Sequence, residues 1–307
     1  MKKLMLFLLS LTLVSTVAAC GDSNFDETGT INVYTRDTSS GTRDGFMSGI
    51  GFSEAATDDS LLVSGFTTND NAGIMNAMRS DRYGIGYVSL SSVNDTIKPL
   101  SINDVEPTIE NVMNDIYSLK RPFNFMLRLE EDYENETKYL LARAFEAFIT
   151  SEEGADAIDD AGAIGLSSEG PFSTIVEDHP VCALDNSDIT LNIGGSNSVT
   201  KVAESLTAAF GPRCGNPSFV HNHTGSSDGF KRTQGDEKDS PNALDIGFAS
   251  RDFRGEELIN GEAFYAQAAW DAIVVIVHLD NPVQSLTLED LKNIYGGEIQ
   301  TWQSLID

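Results

Sequence analysis

The chain is short of positive charge. Its 307 residues carry 20 lysines and arginines against 47 aspartates and glutamates, a formal net charge of −27. Such a surface repels polyanions, which excludes nucleic acid and an anionic lipid surface as partners. A small anion is not excluded, because a recessed site is governed by local dipoles and one or two charges. Histidine is scarce too, four in all. His221 and His223 would share one face of a strand, but no further ligands stand at metal-site spacing, so neither a metal nor another cofactor is expected. No carboxylate cluster suggests a two-metal site, which argues against a hydrolase. Cysteine is limited to Cys20, Cys182 and Cys214.

The one long apolar run is at the N-terminus. Lys2 and Lys3 precede Leu4 to Val17, and Val17-Ala18-Ala19-Cys20 follows with small residues and a cysteine. This is the pattern of a secretory signal with a lipoprotein cleavage box. Residues 1–19 are therefore expected to be a signal peptide, Cys20 the lipidated residue and 20–30 a tether. The chain is then extracytoplasmic, held on a bacterial membrane by its lipid. In that oxidising setting Cys182 and Cys214 are expected to form one disulfide. The remainder is long enough for two domains of ~100–200 residues each.

Strand and helix signals alternate through this remainder, which points to an α/β fold. Ile31 to Tyr34 reads as a strand, and Arg36-Asp37-Thr38-Ser39-Ser40-Gly41-Thr42 follows before an expected helix. That turn combines a fixed positive charge, hydroxyls and a glycine at a helix start, where unpaired N–H groups and the macrodipole favour an anion. Asp70 to Met78 reads as a capped helix and Tyr83 to Val88 as a strand. Tyr117 to Leu129 reads as an edge strand or a connection between domains, because Pro122 interrupts it. Leu141, Ala144, Phe145, Phe148 and Ile149 mark one helix face. Ser167 to Asn186 has no period and reads as a surface linker.

A second αβ pattern begins at Ile189. Its polar turns are Gly194 to Val199, Thr224 to Gly229, and Asp245 to Arg251 after a strand. Each alone is ordinary turn and capping chemistry. Four such turns in an exported chain point to an anion cradle.

These residues resemble the phosphate-binding lipoproteins of bacterial ABC transporters, which share the two-lobed periplasmic binding protein fold of type II. The resemblance rests on Arg36 with Ser40-Gly41-Thr42, Gly84-Ile85-Gly86-Tyr87-Val88, Tyr117 to Pro122, Phe145 to Gly162, Ile273 to Pro282, and Leu286 to Trp302. It covers nearly everything from Ile31 on. In the usual family order the blocks from Ile189 to Trp302 come first, so the resemblance implies a circular permutant joined through residues 167–186. It implies one lobe split between 31–115 and 271–307, and a continuous lobe over 116–270.

The resemblance further implies phosphate ligands Arg36, Ser40, Gly41 and Thr42 from the split lobe, and Ser198, the Val199 amide, Ser226 and Ser250 from the other. The expected function is binding of inorganic phosphate in the interlobe cleft by a monomer, with no chemistry, and delivery to the transmembrane subunits of an ABC permease. Ser250 stands where some members carry an aspartate, so the resemblance leaves selectivity over sulfate, molybdate or another oxyanion open. It equally leaves open a sensing or adhesion module without transport.

Overall fold

Two long strands, Lys120–Leu127 and Tyr265–Val277, run side by side through the centre of the molecule and tie its two halves together. In the computed structural model the described residues are 25–166, 169–259 and 265–306; the expected signal segment and Cys20 lie outside them. The two strands pair antiparallel from Tyr265 opposite Met126 to Ala272 opposite Lys120, with a bulge between Gln267 and Ala269. Ala268, Ala269 and the whole run from Ala272 to Val277 are no more than 2% exposed, which is why this strand reads as almost continuously apolar.

On one side of this pair the sheet continues through Gly84–Ser89 and Asn32–Thr35, and on the other through Ile246–Ala249, Thr190–Gly195 and Ser218–His223. The flanking strands pair parallel within each side. Helices follow them, as parallel strands require.

Buried side chains form two main cores. One draws on Ile31 to Leu119, Ile164, and Ala272 to Trp302. The other draws on Phe123 to Ala163, Phe172 to Phe248, and Ala268 with Ala269. The central strands change allegiance at the same height: Leu119 packs in the first core and Phe123 in the second, while Ala269 packs in the second and Ala272 in the first. Between those positions the carboxylate of Asp271 accepts from Arg121 Nε and Nη2 at 2.9 and 2.7 Å and from Ser89 Oγ at 2.9 Å. The result is a two-lobed α/β molecule, the periplasmic binding protein fold.

The capped helices form where their signals stand. Asp70 accepts from the Gly73 amide at 2.7 Å to open Asn71–Ser80, and Asn135 opens Glu136–Ile149 by accepting from Lys138 N. The apolar face Leu141, Ala144, Phe145, Phe148 and Ile149 is fully inside.

Two expectations change. Of the two readings of the Pro122 run, the connection between the halves holds and the edge strand does not. Pro122 sits opposite Trp270, just before Ile246–Ala249 joins the other side at Asn124, so its missing N–H falls where the strand has one neighbour. The stretch from Glu169 to Asn186 is packed rather than a plain surface connection. Phe172, 2% exposed, meets Phe148 edge-on at 5.2 Å and Phe210 at 6.1 Å. Its helical turns are too short to show a period in the sequence. Cys182 and Cys214 are joined by a disulfide, and Asn186 Nδ2 beside it donates to the carbonyls of Val181 and Cys214. Among the described residues no helix is long and apolar enough to cross a membrane.

Candidate functional site

Four polar turns, one from the first lobe and three from the second, converge where the lobes face each other. The first follows the strand Asn32–Thr35. Ser40 caps the helix Gly41–Gly49 by accepting from the amides of Thr42 and Arg43 at 3.2 and 3.4 Å, and its hydroxyl hydrogen remains available to donate. Gly41 faces the other lobe directly. A Cβ there would run into Ser226 Oγ and stand 2.8 Å from Ser250 Oγ, so only glycine permits this approach.

Arg36 is fully buried. Its Nη1 donates to Asn71 Oδ1 at 2.6 Å and to Thr42 Oγ1 at 3.3 Å, and its Nη2 donates to Asn197 Oδ1 in the opposite lobe. Nε has no partner. Burial lowers the guanidinium pKa from its ordinary value, and nearby Arg121 adds to this, while Tyr87, Asp37 and Asp70 oppose it. A buried cation so placed is held at a cost that an anion would relieve.

From the second lobe, Thr190–Gly195 ends at Gly195, whose φ of +95° and contact with the Phe248 carbonyl both demand glycine. The chain then turns through Ser196, Asn197 and Ser198 into the helix Thr200–Phe210. Ser198 Oγ lies 2.5 Å from Thr42 Oγ1 across the cleft. The Val199 N–H donates to the Ser196 carbonyl at 3.2 Å, so in this arrangement it is taken. Ser196 Oγ donates to Ser250 Oγ at 2.9 Å. Ser226, at the start of Ser226–Lys231, accepts from the Ser250 amide at 3.0 Å and lies 3.2 Å from its hydroxyl.

The eight residues singled out in the sequence thus fall at one place, with Arg36, Ser40, Gly41 and Thr42 on one side and Ser198, Val199, Ser226 and Ser250 on the other. Sequence reasoning missed Ser196, Asn71 and Asn197. Asn71 reads as a helix-start residue beside its capping Asp70, and nothing in the local pattern says that its amide oxygen turns to Arg36. Asp228 and Asp252 stay outside the cluster: Asp228 accepts from the Thr224 hydroxyl and Asp252 from Asn124 Nδ2 at 3.2 Å. Among the described residues no carboxylate hydrogen-bonds to any of the eight.

Ion pairs on one flank and a lysine–carbonyl bond on another join the lobes across the cleft. Asp44 Oδ2 in the first lobe lies 2.8 Å from Arg254 Nη2 and 3.4 Å from Arg251 Nε in the second. Arg251 also makes a two-pronged bond to Glu257 at 2.7 and 2.9 Å. On the opposite flank Lys201 Nζ donates to the Ser91 carbonyl at 2.8 Å. A cavity of about 500 Å3 beside Asn71, Asn197 and Ser198 opens onto the constellation. One cation, several hydroxyls and helix-start amides around one point suit a tetrahedral oxyanion. Among the described residues no serine hydroxyl of this cluster is bonded to a histidine ring or a carboxylate, the pairing that a serine nucleophile requires.

Comparison with known proteins agrees with this architecture. Residues 182–306 match the model of a PBP superfamily domain. The phosphate-binding protein PstS 2 of Streptococcus pneumoniae is 28% identical over 297 residues, covering 94% of each chain. The protein of the same name from Streptococcus agalactiae is 28% identical over 301 residues, covering 95% of this chain and 94% of its own. A crystal structure of a phosphate-binding protein of a phosphate ABC transporter from Streptococcus pneumoniae superposes with a TM-score of 0.65 at 25% identity, covering 90% of this chain and all of that one.

Proposed function

For a chain that belongs to the periplasmic binding protein superfamily, we propose binding of inorganic phosphate between the lobes with high affinity, and its delivery to an ABC-type permease. The observation that carries this reading is the meeting of Thr42 with Ser198, and of Gly41 with Ser226 and Ser250, across the cleft beside buried Arg36. The PstS relatives supply the anion's identity. The ligand's oxygens would replace contacts that the two lobes make with each other. Each charge-assisted hydrogen bond contributes roughly 1.5 to 3 kcal/mol. Because the ligand touches both lobes, it favours the closed arrangement by its difference in affinity for the two states.

The lobes are assigned as 31–115 with 271–307, and 116–270. The segment order, with the Arg36 turn first, runs in step with the streptococcal relatives over 94% of their length, whereas the PstS of Borreliella burgdorferi aligns over only 34% of this chain. That contrast supports the reading of a permuted order relative to other members. The relatives are binding proteins, and the protein is assigned no catalytic activity. It acts as a monomer anchored through Cys20.

Calorimetric titration of a soluble form beginning after Cys20, with phosphate, arsenate and sulfate, tests this. A single phosphate per chain is expected. Binding of sulfate without phosphate would move the assignment to another oxyanion, and release of phosphate from a chromogenic ester would make the protein an enzyme.

A further inference from the structure

The way Arg36 is held carries information beyond its charge. A guanidinium has five N–H hydrogens. Three are taken, two on Nη1 by Asn71 Oδ1 and Thr42 Oγ1 and one on Nη2 by Asn197 Oδ1. What is left is the Nε hydrogen, which has no partner among the described residues, and the second hydrogen of Nη2. Nε and Nη2 share one edge of the guanidinium, the edge that grips two oxygens of an anion at once.

The holders come from opposite lobes. Asn71 opens the helix Asn71–Ser80, and its Nδ2 donates to Ser92 Oγ at 3.4 Å and weakly to Ser198 Oγ at 3.5 Å, which turns its oxygen towards Arg36. Asn197 stands in the turn before Thr200–Phe210. Both are amides. A carboxylate in either place would neutralise the cation and compete with the ligand, whereas an amide oxygen orients the guanidinium and leaves its charge uncompensated.

We propose that Asn71 and Asn197 are positioning residues that pin Arg36 from the two lobes, so that its Nε–Nη2 edge is presented to the anion only when the lobes are closed. This rests on the phosphate reading above. The Arg36–Asn197 bond crosses the cleft, so lobe closure and orientation of the main ligand group are one event. An open form keeps the Asn71 and Thr42 bonds and loses the third.

The test uses the soluble chain with Asn197→Ala and Asn197→Asp, read by phosphate titration, stopped-flow kinetics and small-angle scattering. Asn197→Ala is expected to weaken phosphate by about tenfold, mainly through faster dissociation, because the lost bond forms after encounter. Asn197→Asp is expected to weaken it by at least about a hundredfold, and to make the ligand-free protein as compact as phosphate-saturated wild type. Affinities and dissociation rates within twofold of wild type in both variants would overturn the proposal, as would an Asp variant that binds as wild type does. If wild type itself does not bind phosphate, the functional reading fails. Compaction of ligand-free Asn197→Asp, and not of Asn197→Ala, then still decides whether Arg36 is pinned across the cleft.

Discussion

The hydroxyls of Thr42 and Ser198 meet at 2.5 Å although 156 positions separate them in the chain. Each stands at or just before the start of a helix in its own lobe, so two positive helix ends aim at the same small volume, with buried Arg36 beside it. Arg36 is the only one of the eight converging residues with a full charge. Arg36→Ala is expected to cost phosphate binding on the order of 3 to 5 kcal/mol, or two to four decades in affinity. Arg36→Lys restores the charge without the two-pronged edge and should recover only part of this. Calorimetry decides: an Ala variant within threefold of wild type would show that Arg36 is not the principal ligand.

Gly41→Ala separates folding from closure. The atoms that a methyl group there meets first belong to Ser226 and Ser250 of the other lobe. Alanine at a helix start is at least as favourable as glycine, so the thermal midpoint should hold or rise slightly. Overlap at a packed contact costs roughly 1 to 3 kcal/mol, which predicts phosphate binding weakened by about five- to 150-fold. A fall in midpoint with unchanged affinity would place the clash inside one lobe instead.

The local chemistry of this site was legible in the sequence, and its assembly was not. Ser40, Gly41 and Thr42 announce a helix start, because capping oxygens and glycine have few other uses between a strand and a helix. Leu141 to Ile149 declares its buried face through spacing alone. Long-range pairing leaves no such mark. Tyr265–Val277 is apolar wherever it lies, and only the fold shows that Lys120–Leu127 runs beside it and that both strands cross from core to core. Asn71 and Asn197 were missed for the same reason. An amide oxygen bonded to an arginine from another segment looks, in sequence, like any turn asparagine. Phe172 sits in a single helical turn, which is too short for periodicity to reveal burial.

The Asp44 ion pairs bias the lobes towards closure. Arg254 has its pKa raised, first by the hydrogen bond to Asp44. Arg251 keeps its Glu257 partner when Asp44 is removed, so the fold should survive. The pair is partly exposed, and its contribution to closure is about 0.5 to 1 kcal/mol. Asp44→Ala should therefore lower phosphate affinity by about two- to fivefold at low salt, and the difference should shrink at high salt. Scattering on the ligand-free variant should show a larger radius of gyration. Identical radii and salt profiles would mean that these pairs do not act on closure.

Acid should destabilise the second lobe through its histidine pair. His221 and His223 stack at 5.5 Å, with His221 Nδ1 and His223 Nε2 3.3 Å apart. Thr207 Oγ1 lies 3.1 Å from His221 Nε2, and His223 Nδ1 lies 3.0 Å from the Ser196 carbonyl. With both rings neutral, His221 Nδ1 donates to His223 Nε2 and His223 Nδ1 to the Ser196 carbonyl, while the one hydroxyl hydrogen of Thr207 is shared between His221 Nε2 and the Glu204 carbonyl 3.0 Å away. Burial lowers both pKa values, His223 to about 4, and for His223 the neighbouring His221 and Arg232 add to the effect while the Ser196 bond opposes it. Glu204 raises His221 slightly against the same burial. The unfolded chain then binds protons more readily than the folded one below the ordinary value of 6.5. Stability is fully present above that pH and is lost as the pH falls towards about 4, by up to about 3 kcal/mol for His223. His223→Asn keeps a donor for the Ser196 carbonyl and removes the titration. Urea unfolding of wild type and this variant between about pH 7.5 and about pH 4 should show wild type losing more stability than the variant, since the carboxylates titrate alike in both. Parallel profiles would show that His223 takes up its proton in the folded chain as readily as in the unfolded one, and that the Ser196 turn does not depend on a neutral His223.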